Sequence, residues 1–245
     1  MVMIKKAIIG VFVLLSLVAK AQEKNFNFYP NLAVDLGGAI PFPLSDIPDG
    51  AGGTPQPYPS LGIGAEYQLN NKWQLGFEVN YHLIAFTSSA DVVSQPFYFD
   101  DGTAQYFTGH TEAAVELRFV EFPLLAFYEL KEGRRFLFGF YYSSILESQF
   151  ITKGIDGIYS SDKEDTDNAV LPGSKATITY NFNSFMDHYD YGVLIGYSYD
   201  INSRFYLWGR LNVGFKSIFK NHFDNIDYEM YQVRVNLGVS FKLRN

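Results

Sequence analysis

Nine ionisable residues stand among neighbours of alternating polarity: Asp35, Glu66, Glu78, Glu116, Arg118, Glu121, Asp190, Arg210 and Arg234. Carboxylates and guanidiniums in this mixture suit charge-assisted, bidentate pairing. Carboxylates beside histidine could also do general acid–base work or hold a metal. The four histidines, His82, His110, His188 and His222, fall near strand tops on four different segments. No serine motif accompanies them, and no spacing matches a metal or triad signature. No catalytic residue, cofactor site or metal ligand is assigned, and the chain is expected not to be an enzyme. The acidic stretch at 156–168 carries Asp162, Glu164, Asp165 and Asp167. It lacks the ligand-and-glycine spacing of a calcium loop and reads better as a solvated acidic loop.

Period-two alternation is what must position these groups. In "YQVRVNLGVSFKL" (231–243), Tyr231, Val233, Val235, Leu237, Val239 and Phe241 alternate with Gln232, Arg234, Asn236, Gly238 and Ser240. Such a stretch is a strand with one oily and one polar face. The pattern recurs at 60–69, 73–83, 189–200 and 204–216, and less cleanly at 31–40, 111–130 and 134–150. Within 111–130 the phase becomes ambiguous around 120–123, and Pro123 suggests a bulge there. That makes eight strands. Tight connections at 70–72, 131–134 and 200–203 alternate with long ones at about 41–58, 87–109, 151–186 and 220–227. In an up-and-down meander all the long loops then share one end.

The chain has 245 residues, with 23 Phe, 18 Tyr and no Cys, so neither disulfides nor thiolate metal sites can operate. Lys5 and Lys6 precede a short apolar run that ends at Ala19-Lys20-Ala21, the layout of a secretory signal peptide cleaved before Gln22. Removing residues 1–21 leaves 16 of the 19 basic residues against 26 acidic, a net charge of −10. Nucleic acid is excluded as a partner on that balance. No apolar run in residues 22–245 is long enough for a membrane helix, so a membrane-spanning form must be a barrel. The fold expected is all-β, an eight-stranded antiparallel up-and-down transmembrane β-barrel spanning residues 22–245. Its rival is a soluble lipocalin-like barrel that binds a ligand within its apolar face. Glycines crowded on the polar face (Gly62, Gly64, Gly76, Gly192, Gly196, Gly214, Gly238) and a long aromatic-rich apolar face favour the membrane form.

Three segments carry a family resemblance. "VEFPLLAFYEL" (120–130), "RRFLFGFYYS" (134–143) and "YDYGVLIGYSYDINSRFYLWGRLNVGFKSI" (189–218) resemble strands of the Gram-negative outer-membrane β-barrels called porin-like or PorT-type. The resemblance implies a barrel in a Gram-negative outer membrane and no particular activity. In a membrane barrel the nine charged residues form a polar network in the lumen. Val233, Val235, Leu237, Val239 and Phe241 then face lipid. Eight strands leave room only for side chains, so a salt-bridged plug is favoured over an ion path. The function expected is structural or interactive, exerted through the outer loops on an envelope protein partner, as in an accessory subunit of an envelope complex. A small porin and a barrel-rim hydrolase are the alternatives. The aromatics of 94–107 suit either partner binding or a hairpin packed over the barrel mouth.

Overall fold

The computed structural model describes residues 26–43, 51–98, 104–160, 178–220 and 229–243. Ala19, Ala21 and Gln22 lie outside the described residues, and so do His222 and the acidic run 162–167. The described strands are β1 Phe26–Phe42, β2 Gly52–Gln56, β3 Tyr58–Gln68, β4 Trp73–Tyr98, β5 Ala104–Lys131, β6 Arg134–Ser160, β7 Ile178–Asn181, β8 Tyr189–Asp200, β9 Phe205–Ser217 and β10 Glu229–Phe241. Eight of them (β1, β3, β4, β5, β6, β8, β9, β10) close a ring of antiparallel neighbours, sealed by β1 against β10. Ring closure satisfies every ladder edge without a flanking partner.

The other two strands are short extensions. Past Pro57, β2 continues the line of β3 along β4, with Gln56 opposite Ala85 and Leu61 opposite Tyr81. Past β8, β7 continues along β6, with Asn181 opposite Ile151. The tight turns follow from their residues. Asn70 Oδ1 accepts from the N–H groups of Lys72 and Trp73 at 2.9 and 3.0 Å. Asn202 Oδ1 does the same for Arg204 and Phe205 at 2.8 and 2.9 Å. Gly133 takes the left-handed φ of +71° that its turn requires.

The expected loops are shorter than their sequence suggests. Most of 87–109 is strand, since β4 runs to Tyr98 and β5 begins at Ala104. Strand also occupies 52–56, 151–160 and 178–181. The expected bulge at 120–123 is not on β5. There the ladder to β4 keeps one register from Phe77–Leu124 to Ser88–Ala113, interrupted only beside Pro123. The bulge lies on the partner strand: Arg118 pairs with Glu147 but Phe119 with Ile145, which leaves Leu146 as the extra residue.

With no phase change in β5, Val115, Leu117, Phe119, Glu121, Leu125 and Phe127 all point inward. Glu116 and Arg118 therefore point outward, which corrects their expected place in the lumen. Arg118 Nη2 meets Glu116 at 2.7 Å, and its Nη1 donates to Glu147 at 2.8 Å, on the partly exposed outer face.

The polarity of both faces inverts at one level of the barrel. Below it the outside is apolar and the inside holds charged groups packed among aromatic and aliphatic side chains. Above it the inside is apolar and the outside is charged. On β4 the inward series passes from Glu78, Asn80 and His82 to Ile84 and Phe86. On β5 it passes upward from Glu121 to Phe119, Leu117 and Val115, and on β10 from Arg234 and Gln232 to Met230. The segment between β7 and β8, with its single 3-10 turn Asn183–Phe185, tucks Phe182 and Met186 into this upper core beside Phe150, Ile218 and Phe219. The upper part is a head with an ordinary soluble-type core. In the lower part, β10 from Tyr231 to Phe241 rises about 26 Å at a strand tilt of about 40°, matching an apolar band about 25 Å tall. Aromatic residues mark both borders of that band. Tyr81, Phe122, Tyr142 and Tyr189 lie at the top, and Phe26, Trp73, Phe205 and Phe241 lie at the turn end.

Candidate functional site

Three guanidiniums fill the lower lumen, one above another, each paired with a carboxylate and laid on aromatic rings. Nearest the tight turns, Arg135 Nη1 donates to Glu66 Oε2 at 3.0 Å and to Gln74 Oε1 at 2.8 Å. Its Nε donates to Ser198 Oγ at 3.2 Å. The guanidinium lies 4.9 Å from the Phe127 centroid and 4.7 Å from that of Tyr206, whose hydroxyl donates to Glu66 at 3.2 Å.

One level up, Arg210 grips Glu78 with both terminal nitrogens, at 2.6 and 2.7 Å. Trp208 lies 4.0 Å from the Arg210 guanidinium. Glu78 also accepts from Tyr29 Oη at 2.7 Å and Asn80 Nδ2 at 2.9 Å, so both its oxygens are engaged. Asn31 Nδ2 closes the layer by donating to Asn80 at 3.0 Å. The Tyr29 ring lies where a Cβ at position 64 would be, so glycine is required there.

In the third layer Arg234 donates to Glu121 and lies over Phe119 and Tyr141, at 4.8 and 5.1 Å. Asp35 Oδ1 accepts from Ser60 Oγ at 2.9 Å and Asn236 Nδ2 at 2.6 Å. Asp35 Oδ2 meets Nδ1 of His82 at 2.5 Å, and Nε2 of His82 lies 3.6 Å from Glu121. Tyr141 Oη donates to Asp190 at 2.9 Å toward the β8 wall.

Seven of the nine charged residues read from the sequence thus point into the lumen: Asp35, Glu66, Glu78, Glu121, Asp190, Arg210 and Arg234. Glu116 and Arg118 do not. Val233, Val235, Leu237, Val239 and Phe241 lie on the outer face, with Leu237 the most open at 62% exposed. Sequence reasoning missed Arg135 and Tyr29, and it set His82 on the polar face but near the outer end. Arg135 was within reach of parity, since Phe136, Phe138 and Phe140 face out and their odd-numbered neighbours must face in. His82 lies inside the barrel rather than on its rim. His110 pairs with Asp91 at 2.8 Å on the exposed head, and His188 is exposed. Of the aromatics in 94–107, Phe107 packs in the head core.

Asp35, His82 and Ser60 have the residue types of a nucleophile relay but not its geometry. Ser60 donates to the carboxylate instead of to the imidazole, so nothing activates its oxygen. All three are buried beneath the apolar head core. Among the described residues no group of three or more metal-ligating side chains is placed to hold a metal ion. What this arrangement does is fill the barrel. Paired, ring-stacked guanidiniums occupy the lower lumen, and an apolar core closes it above.

The model of a family described as "Outer membrane protein beta-barrel domain" matches residues 20–220. No curated protein matches the chain. Among solved structures, the attachment invasion locus protein Ail of Yersinia pestis, in complex with the heparin analogue sucrose octasulfate, is similar at 8% identity. That match covers 89% of this chain and 99% of that one, with a TM-score of 0.41. Neisserial surface protein A is similar at 14% identity over 89% of this chain and 97% of that one, TM-score 0.37. The outer membrane protease OmpT of Escherichia coli is similar at 9% identity over 91% and 98%, TM-score 0.27.

Proposed function

Because this chain belongs to the outer-membrane β-barrel domain family, we propose that it is a non-enzymatic, non-conducting outer-membrane protein whose working surface is its raised head. The observation that carries this reading is the inversion of polarity along β4, β5 and β6, where the inward series of β6 passes from Arg135 and Ser143 to Ile145 and Phe150. These strands have 26, 28 and 27 residues, where about 9–11 suffice to cross a bilayer. The surplus builds a water-facing sheet with its own apolar core, and loops raised on such a scaffold are suited to meeting a partner. Its outer face carries Glu112, Glu116, Arg118, Glu147 and Lys153. The partner class is an envelope protein met by this head, with membrane lipid around the lower barrel. Removal of residues 1–21 after Ala21 belongs to the same reading and is checked by intact mass. The segment Glu121-Phe122-Pro123-Leu124-Leu125 supports a PorT-type place within the family.

Reconstitution in planar bilayers tests the sealed lumen. The intact protein is expected to give no open steps, whereas discrete conductance would favour the small-porin alternative. The head is tested by cross-linking in envelopes. The natural chain has no cysteine, so one cysteine can be introduced in place of Glu116 and another in place of Leu124. A protein adduct from position 116 and none from 124 is the expected outcome. Equal yields would remove the head from the reading.

A further inference from the structure

On the outer wall of the lower barrel, ladder registers align two rows of outward side chains. One row runs Arg134, Tyr199, Leu207, Val239, Leu32 across five strands. The next runs Tyr197, Gly209, Leu237, Val34, Pro59. Gly209 leaves a gap in the second row, and the backbone at Gly238 and Ala33, which face inward, forms the floor between the rows. The result is an apolar groove of about 660 Å³, within the ~300–1,000 Å³ of small-molecule clefts. From β8 to β3 it crosses four strand spacings of about 4.8 Å, hence about 19 Å. One leaflet contributes about 15 Å of hydrocarbon depth, and a row inclined by strand tilt crosses that depth obliquely. The groove therefore has the length and width of a single acyl chain.

Its turn end carries a cation. Arg134 follows the Gly133 turn, points outward, and holds its guanidinium 5.7 Å from the Tyr199 ring centroid. Among the described residues it has no carboxylate partner. An unpaired arginine at a membrane border, level with an apolar groove, complements a lipid phosphate.

We propose that Arg134 and this groove hold one glycerophospholipid of the periplasmic leaflet, with its phosphate on Arg134 and one acyl chain along the gap at Gly209. The chain is held by shape and the headgroup by charge. Cation and groove therefore act together, which a contact with a second barrel copy would not require.

Native mass spectrometry of the full chain in detergent, supplied with phosphatidylglycerol, tests this. The wild type should retain one lipid through detergent exchange. Gly209→Leu should lower that occupancy about tenfold. A Cβ at position 209 meets only the flexible end of Leu237 and the longer side chain extends on the outer face, so the barrel should still show heat-modifiable migration. Should that variant fail to insert, Val239→Trp fills the same groove from the other row. Arg134→Gln should abolish the preference for phosphatidylglycerol over phosphate-free diacylglycerol. Equal lipid retention by the wild type and the groove-filled variant would overturn the proposal, as would a retained mass equal to a second copy. An unchanged preference in Arg134→Gln would overturn its phosphate half.

Discussion

Residues 73–82 and 83–91 of β4 belong to one continuous strand, yet the two stretches obey opposite rules. In the first, Trp73, Leu75, Phe77 and Tyr81 face out while Glu78, Asn80 and His82 face in. In the second, Thr87, Ser89 and Asp91 face out while Ile84 and Phe86 face in. The backbone does not change phase between them; the surroundings do. Lipid rewards an apolar outer surface, and a narrow lumen then takes the polar residues in neutralised pairs. Water reverses the preference, and the head reverts to a buried apolar core. Ion pairs therefore mean different things in the two regions. Glu78–Arg210 is enclosed, whereas Arg118–Glu147 is partly open to solvent.

That contrast is open to direct challenge by unfolding the reconstituted protein in urea. Arg210→Met strands the buried Glu78 carboxylate and should cost about 3–5 kcal/mol. A loss no greater than that of an exposed pair would mean that the lower lumen is solvated. Leu117→Ala opens a cavity in the head core and should cost about 2–5 kcal/mol. If it were silent, the head would not be a packed core. Val235→Arg on the lower outer face should cost about 2–4 kcal/mol by placing a charge in lipid. Thr87→Arg, also outward but on the head, should stay within about 0.5 kcal/mol. Similar penalties for these two would erase the border between the regions. Arg118→Met should also be mild, below about 1 kcal/mol and smaller still at high salt.

Much of this was legible without coordinates. Clean alternation in 60–69, 73–83, 189–200, 204–216 and 231–243 placed Glu66, Glu78, Asp190, Arg210 and Arg234 on the inward face, because strand parity is a local property. Segment 111–130 shows the limit. Its apolar positions switch from odd numbers (115, 117, 119) to even ones (122, 124). A bulge in the chain and a change of solvent around it write the same switch into a sequence. The bulge reading put Glu116 and Arg118 inside. The structure keeps one phase throughout β5 and places the bulge at Leu146 of β6. The head core was missed for the same reason, since placing Glu116 and Arg118 inside puts Leu117 and Phe119 on the apolar outer face, and the alternation at 73–83 stops short of Ile84.

Local pattern determined, by itself, that this chain forms eight main strands, which ends the tight turns occupy, and which residues share a face below the polarity border. Periodicity and turn chemistry act over a few residues, so they survive without knowledge of the fold. Tertiary structure decided the rest. Glu78 finds Arg210 across 132 positions, and Asp35 finds Asn236 across 201. Only closure of the ring brings such groups into one lumen layer. The height at which lipid gives way to water is likewise a property of the assembled barrel, since it depends on eight strands reaching that level together.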